Sequence, residues 1–276
     1  MSLKNQVQAY WEAEPCDFRH GKGRDSLGFF QEISRKRYEL ESFIPDFADF
    51  GGGSGKRVLE VGVGLGVDFW GWVRHEARAT GIDLTSRAVK LTRKHLDLRL
   101  IPRAAYNLSQ GDAETLPFRD RSFDLVYSWG ALHHTPGTEA AFGEIRRVLA
   151  PEGILKAMIY HVPCWTGWLL WGRFGLLAGK PFRKVKDLIS QHLESPGTKA
   201  YANREVHQLL GRAGFGDVRI RPVLGPSDLL TITLSSKYRS AVYSAARALY
   251  PRWLVKRMGH RYGLLLFIEA KKPAGP

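Results

Sequence analysis

The stretch VLEVGVGLGVDF, residues 58–69, decides the fold. A short apolar run, Val58-Leu59-Glu60-Val61, meets glycines at Gly62, Gly64 and Gly66, and an apolar segment follows. Strand, glycine turn and helix are the parts of a nucleotide site, because glycine lets the backbone turn tightly and approach a ligand. Outward from this point the pattern alternates. Strands are expected at 56–61, 79–83, 106–110, 123–128 and 153–160, and helices at 67–76, 86–97 and 138–149. Asp83-Leu84-Thr85 and Thr135-Pro136-Gly137 supply helix-start chemistry. Such alternation implies an open α/β sheet of parallel strands joined by right-handed crossovers, with ligands at the carboxyl ends of the strands.

The flanks read differently. Residues 3–13 suit a short helix broken at Pro15, and 26–44 suit a helix with Ser26 as its N-cap. FGGGSG, 50–55, reads as a flexible break. After Tyr160 the alternation stops. Residues 162–200 and about 225–260 look like insertions, separated by a helix at 203–213 and a strand at 217–224. YGLLLFIEAKK, 262–272, reads as a last, buried strand. The expected organisation is one domain over 1–276, with an N-terminal helical lid (1–50), a core (54–161) and two helical covers.

Of the 276 residues 44% are hydrophobic, enough for a sizeable core. No cleavable signal pattern opens the chain, and the longest apolar run, Trp165–Gly179, is interrupted by Arg173 and too short to span a bilayer. Two cysteines make no disulfide framework, so a soluble cytoplasmic protein is expected. The net charge of +14 calls for nucleic acid, an anionic membrane surface or an acidic substrate, and much of it sits in the second half beside aromatic residues.

Two nucleotide readings fail on inspection. GGGSGK resembles a phosphate loop, but Phe50 stands where its first glycine belongs, Arg57 where Ser or Thr would hold magnesium, and it precedes the first strand. The dinucleotide fingerprint needs a small residue where Val67 stands; glycine falls one position earlier, at Gly66. Farther on, Asp83 ends the second strand, where a carboxylate can accept both ribose hydroxyls, and GDAETLPFRDRSFDLVYSWGALHHTP spans 111–136.

With these residues the chain resembles a class I S-adenosylmethionine-dependent methyltransferase over roughly 56–160, most of all the subgroup containing the ubiquinone/menaquinone and sterol C-methyltransferases. The resemblance implies a Rossmann-like, mostly parallel sheet with an antiparallel last strand, and S-adenosyl-L-methionine as cofactor. It implies that Gly62, Gly64 and Gly66 admit the methionine and ribose portions while Glu60 orients the loop. Asp83 would hold the ribose, Asp112 the adenine amino group, and the Ala113 N–H a ring nitrogen, with Glu114 beside them. Leu84 and Leu116 would sandwich the adenine. Ser128, Trp129 and Gly130 would lie beside the sulfonium, with His133 next to them. By analogy with relatives that carry a lid, YWEAEPCDFRHG (10–21) would fold over the cofactor, with Tyr10 or Trp11 touching it. Ordinary core packing competes with ligand contact for Leu84 and Leu116, and capping competes for Asp83 and Asp112.

The sulfonium carries an activated methyl, so the protein need only align a nucleophile and, for some acceptors, remove a proton. Candidate bases are His133 and His134 after the fourth strand, and Tyr160 and His161 at the end of the fifth. No metal is expected, because adjacent histidines point apart and no third ligand is evident. Amino-methylating nucleic-acid enzymes place Pro-Pro-aromatic after the fourth strand, and SWGALHH has none; Pro15-Cys16 and Pro163-Cys164 read as chance. The two covers mix Trp165, Trp168, Trp171, Phe174, Tyr243, Tyr250 and Trp253 with Lys and Arg. That composition suits a lipophilic or aromatic small-molecule acceptor of acidic character, methylated at carbon or oxygen, and peripheral contact with anionic membrane. A packed helical cover with a solvated basic rim is the competing account. An RNA methyltransferase, an S-adenosylmethionine-binding protein without turnover and an NAD oxidoreductase are the alternatives from other classes.

Overall fold

The computed structural model describes residues 1–16, 18, 26–231 and 248–274. The lid stretch 10–21, the second cover 225–260 and Tyr243 therefore lie partly or wholly outside the described residues.

Among the described residues, eight strands form one sheet: β1 (Arg57–Val61), β2 (Arg78–Asp83), β3 (Tyr106–Gln110), β4 (Phe123–Trp129), β5 (Leu149–His161), β6 (Ala200–Tyr201), β7 (Gly216–Val223) and β8 (Leu265–Lys271). Their order is β3-β2-β1-β4-β5-β8-β7, with β6 paired to β5. All pairs from β3 to β5 are parallel, whereas β8 runs antiparallel to both of its neighbours. This is the Rossmann-like sheet with an antiparallel last strand that the sequence implied. The order reverses at β1, so a crevice opens between the carboxyl ends of β1 and β4, where open α/β sheets bind ligands.

The strands bury both faces, and their side chains alternate between two cores. On β4, Leu125, Tyr127 and Trp129 enter one core with Phe69, Trp72 and Leu96. Phe123 and Val126 enter the other with Phe142, Ile145 and Leu210. The first core is covered by α4 (Val67–Arg74) and α5 (Ser86–Leu98), and the second by α6 (Thr138–Val148) and α9 (Asn203–Arg212). Trp72 is fully buried, and cutting it to alanine would cost about 3–5 kcal/mol.

The N-terminal segment holds α1 (Leu3–Ala13), capped by Ser2, then α2 (Leu27–Leu40), capped by Ser26, and α3 (Ile44–Ala48). The single helix expected over 26–44 ends at Leu40, and a new one starts at Ile44 with Pro45 in its first turn, where a missing N–H leaves nothing unsatisfied. FGGGSG is not a loose break. Phe50–Gly53 form one 3-10 turn, Phe50 packs on Trp72 at 4.8 Å, and a Cβ on Gly53 would lie 2.8 Å from that indole.

Two covers sit at the carboxyl end of the sheet. The first carries α7 (Trp165–Trp171) and α8 (Val185–His192), and the second ends with α10 (Arg252–Arg257). They are tied by one buried carboxylate. Asp228 accepts from the Thr166 N–H (3.0 Å) and hydroxyl (2.7 Å), and from the N–H groups of Gly225 (2.9 Å) and Leu264 (2.7 Å). Trp168 also rests on Tyr262, with ring centres 5.1 Å apart. Among the described residues, no helix is long and apolar enough to cross a membrane.

Candidate active site

The glycine turn is shaped by its neighbours. Gly62 has φ of 86°, and a Cβ there would stand 2.4 Å from the Cβ of Ala131, so the β1 and β4 ends close to backbone distance only with glycine. Gly66 (φ 71°) faces α5, where a Cβ would strike Thr92 at 2.6 Å. The Thr92 hydroxyl donates to the Gly64 carbonyl at 3.1 Å. Gly66 therefore serves helix–helix packing and lies outside the cavity lining, not beside a cofactor as expected.

Asp83 ends β2 and pins this turn. Its carboxylate accepts from the Gly64 N–H at 3.1 Å and from the N–H and hydroxyl of Thr85 at 2.9 and 2.8 Å. Burial pushes the Asp83 carboxyl above its usual range, and these donors pull it back. Glu60, fully buried on β1, is pushed up by burial and by the nearby Asp68 carboxylate.

These residues line a cavity of about 390 Å³ at the strand ends. Glu60, Gly62, Gly64, Asp83, Leu84, Asp112, Ala113, Glu114, Trp129, His134 and Tyr160 all reach it. Leu116, Ser128, His133 and His161 do not. Leu116 packs in the core with Phe142, so it is not the second half of an adenine sandwich. The Ser128 hydroxyl is buried and donates to the Val61 carbonyl at 2.9 Å, which bonds β4 to β1 instead of facing a ligand. His133 is wholly buried under the Tyr160 ring at 4.0 Å; burial, then the neighbouring His134, lowers its pKa. His161 pairs with the Gly263 carbonyl at 2.9 Å, and burial lowers it as well. Neither histidine reaches an acceptor in the cavity. Burial holds the Tyr160 phenol far above its ordinary value, so it stays protonated.

Of the two lid residues expected near the cofactor, Trp11 reaches the cavity and Tyr10 does not. Lys4, Val7 and Trp11 line the cavity, while Tyr10, one position from Trp11, turns outward and is 43% exposed. Trp11 stands edge-on to His134 with ring centres 5.1 Å apart. Gln8 donates to the Leu84 carbonyl at 3.1 Å.

Sequence reasoning gave no role to several charged groups of the lining, among them Arg37 and Glu194. Arg37 of α2 lines the cavity and grips Asp68 at 2.7 and 3.2 Å, and Asp68 also accepts from Tyr38 (3.1 Å) and Tyr127 (3.0 Å). Glu194, between α8 and β6, lies 3.2 Å from His134 Nε2. The adjacent histidines do not point apart as expected: their rings are 4.2 Å apart, and with Glu194 they form the one group among the described residues whose spacing suits a metal ion. No regular spacing in the sequence marks Arg37 or Glu194.

Comparison with known proteins agrees with this geometry. The family model for a methyltransferase domain matches residues 59–157. The chain is 40% identical, over 147 residues, to the phthiotriol/phenolphthiotriol dimycocerosates methyltransferase of Mycobacterium tuberculosis, covering 52% of this chain and 49% of that protein. It is 37% identical over 140 residues to the fatty-acid O-methyltransferase of Mycolicibacterium smegmatis, covering 49% and 48%. The chain thus spans about half the length of these curated relatives. In fold it is similar to phosphoethanolamine N-methyltransferase 2 of Haemonchus contortus, solved with phosphomonomethylethanolamine and S-adenosylhomocysteine (TM-score 0.58, 17% identity, 99% of this chain and 58% of that one). Strand order and family match converge: residues 59–157 match a methyltransferase domain on a Rossmann-like sheet.

Proposed function

We propose that the chain transfers the methyl group of S-adenosylmethionine to a lipid-like small molecule. The observation that carries this reading is one continuous cavity, which joins the glycine turn and its acids to an apolar wall of Trp11, Trp129, Met158, Leu193, Leu264 and Leu265. Cofactor and acceptor must share one water-poor space for in-line transfer, and this cavity supplies it. Asp83 would take the ribose hydroxyls with its remaining acceptor positions, and Asp112 and the Ala113 N–H the adenine. Arg37 would face the cofactor's carboxylate. The lipid-related names of the two curated relatives support an apolar acceptor.

The described parts of the covers also support peripheral contact with an anionic membrane. Phe182 (96% exposed) and Leu177 (84%) stand among Lys180, Arg183 and Lys184, and Trp253 (70%) stands beside Arg252 and Lys256. Apolar side chains ringed by cations suit a bilayer headgroup region, which is where a lipid-like acceptor would be met.

The test is transfer of isotopically labelled methyl from S-adenosylmethionine into a total cell extract, followed by phase partition and mass spectrometry. Label is expected in the organic phase. Label confined to water-soluble metabolites or to RNA would reject the reading.

A further inference from the structure

The acceptor end of the cavity contains a carboxylate that no role yet uses. Glu194 lines the cavity with His134, Tyr160, Leu193, Trp129 and Trp11. Its side chain keeps 29% exposure while His134 beside it keeps 7%. Among the described residues, the other titratable side chains at this end are Glu41, Cys16, His134 and Tyr160. Glu41 stands 3.8 Å from the Arg37 guanidinium.

His134 is committed on both ring nitrogens. Nδ1 meets the Ser195 hydroxyl at 2.9 Å and the Thr198 hydroxyl at 3.1 Å, and Nε2 meets Glu194 at 3.2 Å. The Thr198 hydroxyl donates to the Ser195 carbonyl at 2.7 Å. With Ser195 donating to Nδ1, Nε2 carries the proton and faces the Glu194 carboxylate at 3.2 Å. The Tyr160 phenol lies near this carboxylate, and burial first and the Glu194 charge next hold it protonated. A carboxylate has about four acceptor positions, and His134 faces at most one of them, so Glu194 retains capacity for a donor from the cavity.

The carboxylate is also fixed in place. The segment after α8 is stitched to the loop that ends β4: the Lys199 N–H donates to the His133 carbonyl at 3.0 Å, and the Lys199 ammonium to the Thr135 carbonyl at 2.9 Å and to Pro136. The Thr198 N–H closes the turn on the Ser195 carbonyl at 3.2 Å. Such anchoring is what a group needs if it is to act without rearranging during reaction.

We propose that Glu194 is the proton acceptor in methyl transfer and that the acceptor atom is therefore a neutral hydroxyl, alcohol or phenol, on an otherwise apolar molecule. This rests on the methyltransferase reading above. The acceptor O–H bond breaks and its proton goes to the Glu194 carboxylate. The O–CH3 bond forms as the S–CH3 bond breaks, and that electron pair stays on sulfur. The products are an ether, a neutral thioether and a protonated Glu194, which releases its proton to water. A cation and an anion vanish together in a low-dielectric site, which favours the transition state. His134, whose Nε2 faces the carboxylate at 3.2 Å, is a positioning residue. A fatty acid is the wrong acceptor here: it is already deprotonated, needs no base, and would bring a second carboxylate against Glu194.

The experiment uses the full chain, labelled S-adenosylmethionine, and a long-chain primary alcohol, a para-alkylphenol, an alkylamine and a fatty acid of matched chain length. Methylation of the alcohol or phenol and not of the acid is expected. Glu194→Gln should lower the single-turnover rate by about 10²-fold or more. S-adenosylhomocysteine affinity should stay within about 3-fold, and Glu194→Asp should restore part of the rate. In parallel, binding of the same probes to the S-adenosylhomocysteine-loaded protein is measured. The alcohol should bind more tightly than the acid, and Glu194→Gln should erase that preference. Preferred methylation or binding of the acid or amine, or a near-parental rate in Glu194→Gln, would overturn the proposal. So would loss of activity in EDTA with rescue by zinc or manganese, which would make His133, His134 and Glu194 metal ligands. If no probe is methylated, the proposed function fails, and the binding preference still decides the role of Glu194.

Discussion

The Lys4 ammonium lies 2.5 Å from the Asp112 carboxylate and 2.8 Å from Glu114, so the first helix is latched onto the pair of acids after β3. Burial works against the charge on Lys4, but its hydrogen bonds to both acids outweigh this and raise its pKa. Asp112 is the residue assigned to the adenine amino group, so ligand and latch meet at one carboxylate. Lys4→Met should speed both association and dissociation of S-adenosylhomocysteine in stopped-flow traces. A partly exposed ion pair is worth up to about 1 kcal/mol, so the change should be a few-fold. Unchanged rates would mean that the helix does not gate the site.

Asp83→Ala should weaken S-adenosylhomocysteine binding by about 1–3 kcal/mol, since an unpaired ribose diol and a loosened turn act in the same direction. Thr85→Val removes only one of the donors to Asp83 and should cost less. Calorimetry giving equal affinity for Asp83→Ala and parent would reject the ribose assignment.

His95 should make the fold acid-sensitive. It is buried on α5, receives the Arg99 guanidinium at 2.8 Å, meets the Leu65 carbonyl at 3.1 Å, and stacks on Phe30. Burial first, then the Arg99 charge, lowers its pKa from 6.5 to about 4. Between these values the unfolded chain takes up a proton that the folded chain refuses. Its stability contribution is therefore full above pH ~6.5 and is lost as pH falls toward ~4, on the order of 3 kcal/mol in all. Denaturant midpoints should drop over that window, and His95→Gln should flatten the slope. A parental slope in the variant would assign the effect elsewhere.

Phe182→Asp combined with Trp253→Asp should abolish co-sedimentation with anionic vesicles and leave S-adenosylhomocysteine affinity unchanged. Retained sedimentation, or loss of cofactor affinity, would return these side chains to a packing role.

The sheet was legible because its signals are local. Val58 to Gly66 encode strand, turn and helix start within a few residues, and the alternation after them leaves few topologies. Asp83 was legible because a carboxylate at a strand end beside a glycine turn has few other uses. Tyr10 and Trp11 were not separable, since one step along a helix rotates a side chain by about 100° and only packing fixes which faces inward. Leu116 failed for a similar reason: an apolar residue near a ligand and one in the core look alike in sequence. Glu194 left no local mark at all. It becomes a site residue only because Lys199 and Ser195 bring its segment against His134, a long-range pairing that periodicity does not report.

The Asp228 clasp makes the two covers a single exchangeable part. Its carboxylate, itself on the second cover, draws donors from Thr166 on the first, from Gly225 on its own, and from Leu264 at the start of β8, all in a buried setting. A chimera that grafts one cover from a homologous enzyme would leave those donors or that carboxylate orphaned, and would misfold before its new specificity is tested. Acceptor preference in this architecture should therefore be inherited, and engineered, as a matched pair of segments.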